Sequence, residues 1–496
     1  MTSVNAGPKP STTRQPTAPA TTTTATPSTT TATTTTTTTT VTTAPLEVAA
    51  TGGLDGVDSG AGPQRLGGLP AVTLPTTGPV PTTAPRRGLT PSTTLPDGIT
   101  DDARASLQGA LDGTGGEQAR GAARELLRST GYKALSSTAQ ATLLNTFAGA
   151  DATATAQAAT RLLSSSSFQG ADAATRGQLV DVHVAASPQA RASLLSLANS
   201  PLLANRDFSG DGTLLAHLHT LSTARLAAGL DRAAVVSSTL SEVADPSSIE
   251  QLGQATCVAT SVSLEVMRQS PAEYARLAAG LASPAGTVTL RSGDVLQRAA
   301  GSVADARSGR SPSERLIQDA FMERGNGALA YDVATDSHSV GGVGQGGGLT
   351  IAEAARLQSS VFGERFGAIS TRGRMITRDA TQGDVNLANL RNGLDRLTFK
   401  RVENQPMNRL RDDVAQGQPA LAVLRWSSGS DVFHAVVVDR IDDDRVYFRN
   451  PHGNAYHGQA PGTDLDTPPR RVEAGNTQSM TVADFRARLD SATWQR

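Results

Sequence analysis

Four residues of this 496-residue chain have types and positions that could support nucleophilic catalysis. Cys257, the one cysteine of the sequence, stands between a loop and a predicted helix, six residues after Gln251. His434 and Asn450 lie far downstream, at the start of one strand-like segment and at the end of the next. A lone cysteine with a distant histidine and asparagine is typical of a thiol–imidazole pair with an orienting amide. This pattern indicates attack of a thiol on an acyl carbon.

The sequence around Cys257 indicates how the thiol could be activated. Thr256 is a predicted N-cap, which places Cys257 in the first turn of a helix. Unpaired N–H groups and the positive end of the helix dipole favour a thiolate there, and the thiolate is the nucleophilic form. The backbone N–H of Cys257 and the side chain of Gln251 or Gln254 are candidate donors to an oxyanion. The alternative is a cysteine that only packs in the core, as free cysteines often do.

His434 and Asn450 could complete the site. His434 follows a polar turn and opens an apolar strand, so its ring could face a cleft. A hairpin would bring Asn450 back beside it, where the amide oxygen could fix the tautomer of the imidazole. The structural alternatives are a strand histidine and a turn asparagine before proline. A zinc site of His434, His452 and His457 is disfavoured, because it lacks thiolate or acidic ligands at the usual spacing.

Composition excludes several classes of function. The chain has 44 basic and 45 acidic residues, a net charge of −1, so we expect no nucleic-acid partner. One cysteine cannot form an internal disulfide, and the fold does not depend on an oxidising compartment. No signal-peptide pattern and no apolar run of about 18 residues is present, so we expect a soluble chain without a membrane span, cytoplasmic or exported without a signal peptide.

The glycine run 339–348 does not have the features of a phosphate-binding loop. It follows no clear strand and lacks the Lys-Ser/Thr ending of such a loop, so we interpret it as a flap and expect no cofactor.

Three regions of the chain differ in amino-acid composition and in the structure that they predict. Residues 1–98 are rich in Thr, Pro and Ala and predict a disordered tail. Residues 99–248 predict an all-α domain with repeats of about 36 residues, opened by Tyr132, Phe168 and, more weakly, Phe208, and such stacked hairpins could bind a protein partner. Within the third unit, 207–212 resembles the start of a calcium loop, but position twelve is Leu218 instead of Glu, which favours a plain Asp/Gly turn.

Residues 249–496 predict helices followed by an antiparallel sheet, hence an α+β domain. Helical spacing is found over 256–269, 272–281, 312–324 and 350–362, and strand patterns over 420–426, 435–441 and 445–449.

Taken together, these segments resemble the papain superfamily of cysteine peptidases. Gln251 and Cys257 have the spacing of that family's oxyanion glutamine and nucleophile. Phe433-His434-Ala-Val-Val-Val resembles its histidine segment, and Asn450-Pro-His-Gly resembles the Asn-Pro-Trp-Gly form of calpains. The Cys-Gly-Ser-Cys-Trp signature is replaced by Gln-Ala-Thr-Cys-Val. The interval from Cys257 to His434 is 177 residues, longer than the roughly 130–150 of papain-like enzymes.

The resemblance implies a two-lobed papain-like domain with a helical lobe, a sheet lobe and the site between them. It further implies a peptidase that cleaves protein or peptide substrates through a Cys257–His434–Asn450 triad and an acyl-enzyme, with Gln251 at the oxyanion. Two alternatives stay open. One is a transglutaminase or glutamine deamidase, such as a bacterial effector, that uses the same Cys–His pair. The other is a helical-repeat interaction protein whose papain-like part is inactive.

Overall fold

The computed structural model describes residues 95–149, 151–304, 308–327, 330–340, 343–345, 347–370, 375–377, 405–426, 433–453, 471–472 and 477–495. All of them belong to one compact unit, Thr90–Arg496. Most of the predicted tail, 1–98, lies outside the described residues, as do the polar turn 427–432 and His457.

The first part of the described chain is helical. Most of its helices begin at a Ser, Thr or Asp whose side-chain oxygen accepts an N–H of the first turn, the usual N-cap arrangement. The helices are α1 Asp101–Asp112, α2 Gly116–Arg128, α3 Thr130–Lys133, α4 Ser137–Leu144, α5 Ala152–Leu163, α6 Ser166–Gly170, α7 Ala173–Ala185, α8 Ala190–Ala198, α9 Leu214–Thr223 and α10 Arg232–Ala244.

The first two predicted repeat units share a local structure. Tyr132 and Phe168 are buried, and each lies in a one-turn helix whose N-cap serine accepts the aromatic residue's own N–H. A longer helix, α4 or α7, follows in both. The third unit differs, because Phe208 lies in a turn and leads directly to α9.

The remaining elements confirm the α+β class. The predicted helices and strands are present, most with ends shifted by one or two residues. The elements are α11 Cys257–Gln269, α12 Pro271–Ala282, β1 Thr287–Thr289, β2 Val295–Gln297, α13 Pro312–Asn326, β3 Ala330–Asp332, β4 Ser337–Val340, β5 Val343–Gln345, α14 Ile351–Phe362, β6 Phe366–Ser370, β7 Met375–Thr377, α15 Gln405–Ala415, β8 Leu421–Arg425, β9 Phe433–Ile441, β10 Arg445–Arg449, β11 Arg471–Val472, β12 Thr477–Thr481, α16 Val482–Arg488 and β13 Leu489–Gln495.

Within the described residues, the main sheet has eight strands in the order β11-β12-β10-β9-β8-β13-β6-β7, and neighbouring strands are antiparallel. Strand β9 is buried on both faces. Ala435 and Val437 belong to the core that includes α11, whereas Val436 and Val438 pack with Phe448 in a second core under α15 and α16. The first core also runs unbroken from the helical region into α11, and the boundary predicted at 248/249 stays a prediction.

The glycine-rich segment corrects one expectation. No strand was expected before this run, yet β3, β4 and β5 form a small antiparallel sheet. Strand β4 reads Ser-His-Ser-Val, so it lacks the apolar alternation that marks a strand in sequence. Strand β4 pairs through backbone hydrogen bonds, and these do not require alternating apolar side chains in the sequence.

The loop 207–212 is a turn held by its own hydrogen bonds. The carboxylate of Asp207 accepts hydrogen bonds from Ser209 N, Ser209 Oγ, Asp211 N and Gly212 N, and it contacts His217 Nε2 at 2.7 Å. Burial opposes ionisation, but the hydrogen bonds from Ser209 and His217 lower the pKa of Asp207 to about 2. Both carboxylate oxygens are therefore engaged by the protein itself, as in an Asp/Gly turn.

Replacing Asp207 with alanine is expected to destabilise the fold by roughly 2–3 kcal/mol, because it leaves several N–H donors without their charged acceptor. The Asp211→Ala variant is the matched control, since the Asp211 side chain is exposed and only its backbone N–H bonds to Asp207. Denaturant unfolding at neutral pH, with EDTA and then with calcium, measures both. Equal losses in the two variants, with a wild type that calcium stabilises, would instead favour the calcium loop.

Candidate active site

Cys257 is the first residue of α11, as predicted, and Thr256 occupies the N-cap position. The hydroxyl of Thr256 does not cap the helix, because it donates to Gln318 Oε1 at 3.0 Å instead. The helix is also more buried than expected. Every residue from Val258 to Met267 is buried, not only the stripe that contains the valines. Helix α11 is thus a central element with no solvent-facing side over most of its length.

The thiol of Cys257 lies beside strand β9. The backbone N–H of Ala435, the residue that follows His434, lies near enough to the sulfur to favour the thiolate. One turn along α11, Ser261 Oγ donates to Ala435 O at 3.5 Å. Cys257 itself keeps partial solvent access. The fold therefore places the Cys257 thiol next to the chain at His434.

Electrostatics at the thiol differ from the sequence-based expectation of a favoured thiolate. Burial raises the pKa of the Cys257 thiol, and the charge of Asp336 acts in the same direction. The N–H groups of Ala435, Val258 and Cys257 favour the thiolate but do not outweigh burial. The end of a helix is a poor thiolate site when protein atoms replace most of the water. In this structure the resting thiol is therefore protonated.

His434 and Asn450 form the hydrogen bond that the sequence predicts. His434 is the second residue of β9, opposite Leu424, and the β9–β10 hairpin returns the chain to Asn450. His434 Nε2 and Asn450 Oδ1 are 2.7 Å apart, and both residues are about 3% exposed. An amide oxygen can only accept, so the ring donates from Nε2. In the neutral tautomer that fits, Nδ1 is the ring nitrogen able to take up a proton.

Aromatic rings enclose the His434 imidazole. The ring of His452 stacks on it almost in parallel, with 4.1 Å between centroids and an angle of 9°. Trp426 meets the same imidazole edge to face at 4.5 Å. In the Asn450-Pro-His-Gly segment, His452 stands where the calpain motif has tryptophan. The flat packing restricts rotation of the catalytic candidate.

Gln251 is buried in the loop before α11, with 4% exposure. Its side-chain Nε2 donates to Gln254 O at 2.8 Å, and its backbone N–H donates to Pro451 O at 2.7 Å. The second bond joins this loop directly to the turn after Asn450. Leu252 has a φ of 53°, an unusual conformation for a non-glycine residue that is often found at functional sites.

Helix α13 contributes residues that the sequence analysis did not identify. Glu314 Oε1 accepts the N–H of Glu250 at 2.6 Å. Gln318 Nε2 donates to Glu250 O at 3.0 Å, and Gln318 Oε1 accepts the Thr256 hydroxyl. Gln318 thus holds both ends of the loop 250–256. The capping box of Ser311 and Glu314 is visible in the sequence, but nothing there indicates a contact with a loop 64 residues earlier.

Asp336, in the turn between β3 and β4, supports the same loop from the other side. Its Oδ2 accepts the N–H of Ala255 at 2.5 Å, and its Oδ1 accepts the hydroxyl of Tyr331 at 2.7 Å. Gly347 passes so close that a Cβ there would lie 2.8 Å from the Cβ of Ala255. The small sheet of β3–β5 therefore packs beside Cys257, where a flap would lie.

Three further findings concern metal ions, membranes and known proteins. Within the part of the chain that the structure describes, no group of three or more His, Cys, Asp and Glu side chains could hold a metal ion, although His457 of the disfavoured zinc site lies outside that part. None of the described helices combines the length and apolar character needed to cross a bilayer. Compared with known proteins, the chain matches no family model, no curated protein and no solved structure.

The four predicted site residues thus meet in one region. His434 bonds to Asn450, the N–H of Ala435 lies near the Cys257 thiol, and the backbone N–H of Gln251 bonds to the carbonyl that follows Asn450. These contacts place the four chain segments side by side.

Proposed function

We propose that the chain is a cysteine hydrolase of papain-like design that cleaves peptide bonds. The observation that carries the proposal is the 2.7 Å bond between His434 Nε2 and Asn450 Oδ1, formed one residue from the backbone N–H that lies near the Cys257 thiol. A histidine with a fixed tautomer, on a strand that runs beside a cysteine thiol, is the arrangement expected of a general base and its nucleophile.

In the proposed reaction the thiol proton of Cys257 passes to His434 Nδ1 while the sulfur attacks the carbonyl carbon of the substrate. The carbonyl π bond opens and its electron pair moves to oxygen, which gives a tetrahedral oxyanion. When the carbonyl re-forms, the C–N bond breaks and the leaving nitrogen takes the proton from His434. The resulting thioester is hydrolysed by water, which His434 deprotonates, and the proton returns to the thiol as the sulfur leaves.

The raised pKa of the Cys257 thiol gives His434 a necessary role in this scheme. Because burial keeps the resting thiol protonated, the helix terminus alone does not supply the nucleophile. Proton transfer to an imidazole must accompany attack, and the bond to Asn450 supports the imidazolium that forms.

The oxyanion would be bound by the backbone N–H of Cys257 and by the side-chain amide of Gln251. One of the two Gln251 Nε2 hydrogens is donated to Gln254 O, which orients the amide group. The second hydrogen is the proposed donor. Because the loop is anchored by Gln318, Asp336 and Pro451, this donor would need little rearrangement during the reaction.

The test uses the fact that the sequence contains a single cysteine, so a thiol reagent acts on Cys257 alone. The protein is incubated with a proteome-derived peptide library, and new N-termini are identified by mass spectrometry alongside an assay for released ammonia. We expect the untreated protein to produce new N-termini. These should be absent after methylthiolation of Cys257 and should return when dithiothreitol removes the block.

Other outcomes of the same assay separate the alternatives. Ammonia release from glutamine peptides without new N-termini would identify a deamidase, and isopeptide formation with added amines a transglutaminase. Absence of every product in the unblocked protein would contradict the proposal and favour an interaction protein. A protein partner of the helical region, 99–248, stays a prediction that this assay does not address.

A further inference from the structure

The amide of Asn450 is fixed by more than its bond to His434. Its Oδ1 also accepts the backbone N–H of His452 at 3.1 Å. Its Nδ2 donates to Oε1 of Gln478 at 3.2 Å. Gln478 lies on β12, opposite Phe448 of β10, and is 1% exposed. The amide oxygen of Asn450 therefore has two donors, and its amide nitrogen has an acceptor.

We infer that Gln478 is a positioning residue that sets the tautomer of His434 by fixing which way the Asn450 amide faces. With the amide rotated by 180°, Nδ2 would face two donors, His434 Nε2–H and the N–H of His452, while Oδ1 would face the acceptor oxygen of Gln478. His434 would then have to move its proton to Nδ1 in order to accept from Asn450. That tautomer cannot take the proton of the Cys257 thiol.

The position of Gln478 suits this role. It is inside the sheet, where β12 pairs with both β10 and β11, so its backbone is fixed on two sides. Water has little access to a residue that is 1% exposed, so an unpaired Asn450 amide could not turn to solvent for a replacement partner. Gln478 accepts from Nδ2 and the N–H of His452 donates to Oδ1, so removal of Gln478 takes away one of the two neighbouring groups that distinguish the two orientations of the amide.

This inference rests on the proposed function only for its effect on rate; the tautomer itself can be measured without any substrate. The protein is labelled with ¹⁵N-imidazole histidine, and ring nitrogens are assigned by the signal missing from His434→Ala. Wild type is expected to show His434 protonated at Nε2. Gln478→Met, which keeps the length of the side chain but removes its acceptor, is expected to show a mixture with the Nδ1–H form.

Gln478→Glu is the conservative variant, because a carboxylate oxygen can accept from Asn450 Nδ2. It is expected to keep the wild-type tautomer and kcat, whereas Gln478→Met loses about tenfold or more in kcat with KM little changed. Melting temperatures show whether either variant is misfolded, and Asn450→Asp provides a second comparison. In the Asn450→Asp background both oxygens accept, so adding Gln478→Met should leave the tautomer unchanged.

A folded Gln478→Met variant with the pure Nε2–H tautomer would overturn the inference, as would a Gln478→Glu variant that behaves like Gln478→Met. A shifted tautomer in Gln478→Met would support it even if wild type cleaved no peptide. That combination would contradict the proposed peptidase activity alone.

Discussion

Replacing Cys257 with alanine is expected to lower kcat/KM for peptide cleavage by at least about 10³-fold, and replacing His434 with alanine by a similar factor. Cysteine supplies the atom that becomes acylated, and His434 supplies the only route by which its proton leaves in the proposed reaction. Since the two act in one step, the double variant should be little slower than either single variant. Initial rates on a peptide identified in the library assay measure all three.

The proposed pair of Cys257 and His434 also predicts a difference in thiol reactivity, which can be measured without a substrate. Iodoacetamide should alkylate Cys257 faster in wild type than in His434→Ala, because burial raises the pKa of the thiol and His434 can accept its proton as the sulfur attacks. His219→Ala is the matched control. His219 contacts Asp181 at 3.1 Å in the helical region and should leave both labelling and turnover unchanged. Equal labelling rates in wild type and His434→Ala would argue that no Cys–His pair exists.

Local patterns predicted the elements that carry strong periodicity. The helix that begins at Cys257 and the strands around His434 and Asn450 all have apolar spacing or β-branched runs that only one structure accommodates. Strand β4 and the short strand β11 have no such signal, because their pairing rests on backbone hydrogen bonds that do not require alternating apolar side chains. The position of β13 between β8 and β6 is also invisible locally, since an antiparallel order does not follow chain order.

The residues of the site also fall into two groups, those that the sequence indicated and those that it did not. Residue type and order indicated Cys257, His434, Asn450 and Gln251, and the hairpin predicted the His434–Asn450 bond. The supporting residues, Gln318, Asp336 and Gln478, reach the site through tertiary packing alone. The raised pKa of the thiol could not be predicted either, because it depends on how completely the surrounding chain excludes water.

Between pH 6.5 and 8 the folded protein is expected to lose stability, because several buried carboxyl groups hold protons that the unfolded chain has released. Glu265, on the buried face of α11 toward α14, is 0% exposed and accepts from Gln358 Nε2 at 2.9 Å. Burial raises its pKa to about 8. Burial likewise raises the pKa values of Glu242, Glu314 and Asp413.

The direction follows from proton counts. A carboxyl group with a raised pKa in the folded state contributes fully below its unfolded pKa, about 4.3 for Glu, and loses that contribution as pH rises through the folded value. His183 and Asp207, whose pKa values are lowered, act mainly at lower pH. Burial lowers the pKa of His183 to about 3, and hydrogen bonds lower that of Asp207 to about 2, so their opposing contribution above pH 6.5 is small.

Glu265→Gln isolates one of these groups, since the amide keeps an oxygen for Gln358 but cannot ionise. Relative to wild type, its stability should increase by roughly 2 kcal/mol between pH 6.5 and pH 8. Guanidinium unfolding at the two pH values measures the difference, and Glu125→Gln, at an exposed position of α2, should show none. A wild type whose stability is flat or rising over this interval would mean that the buried carboxyl groups ionise in the folded state without the expected cost. The surroundings of Glu265 on α11 would then solvate a charge better than its burial indicates.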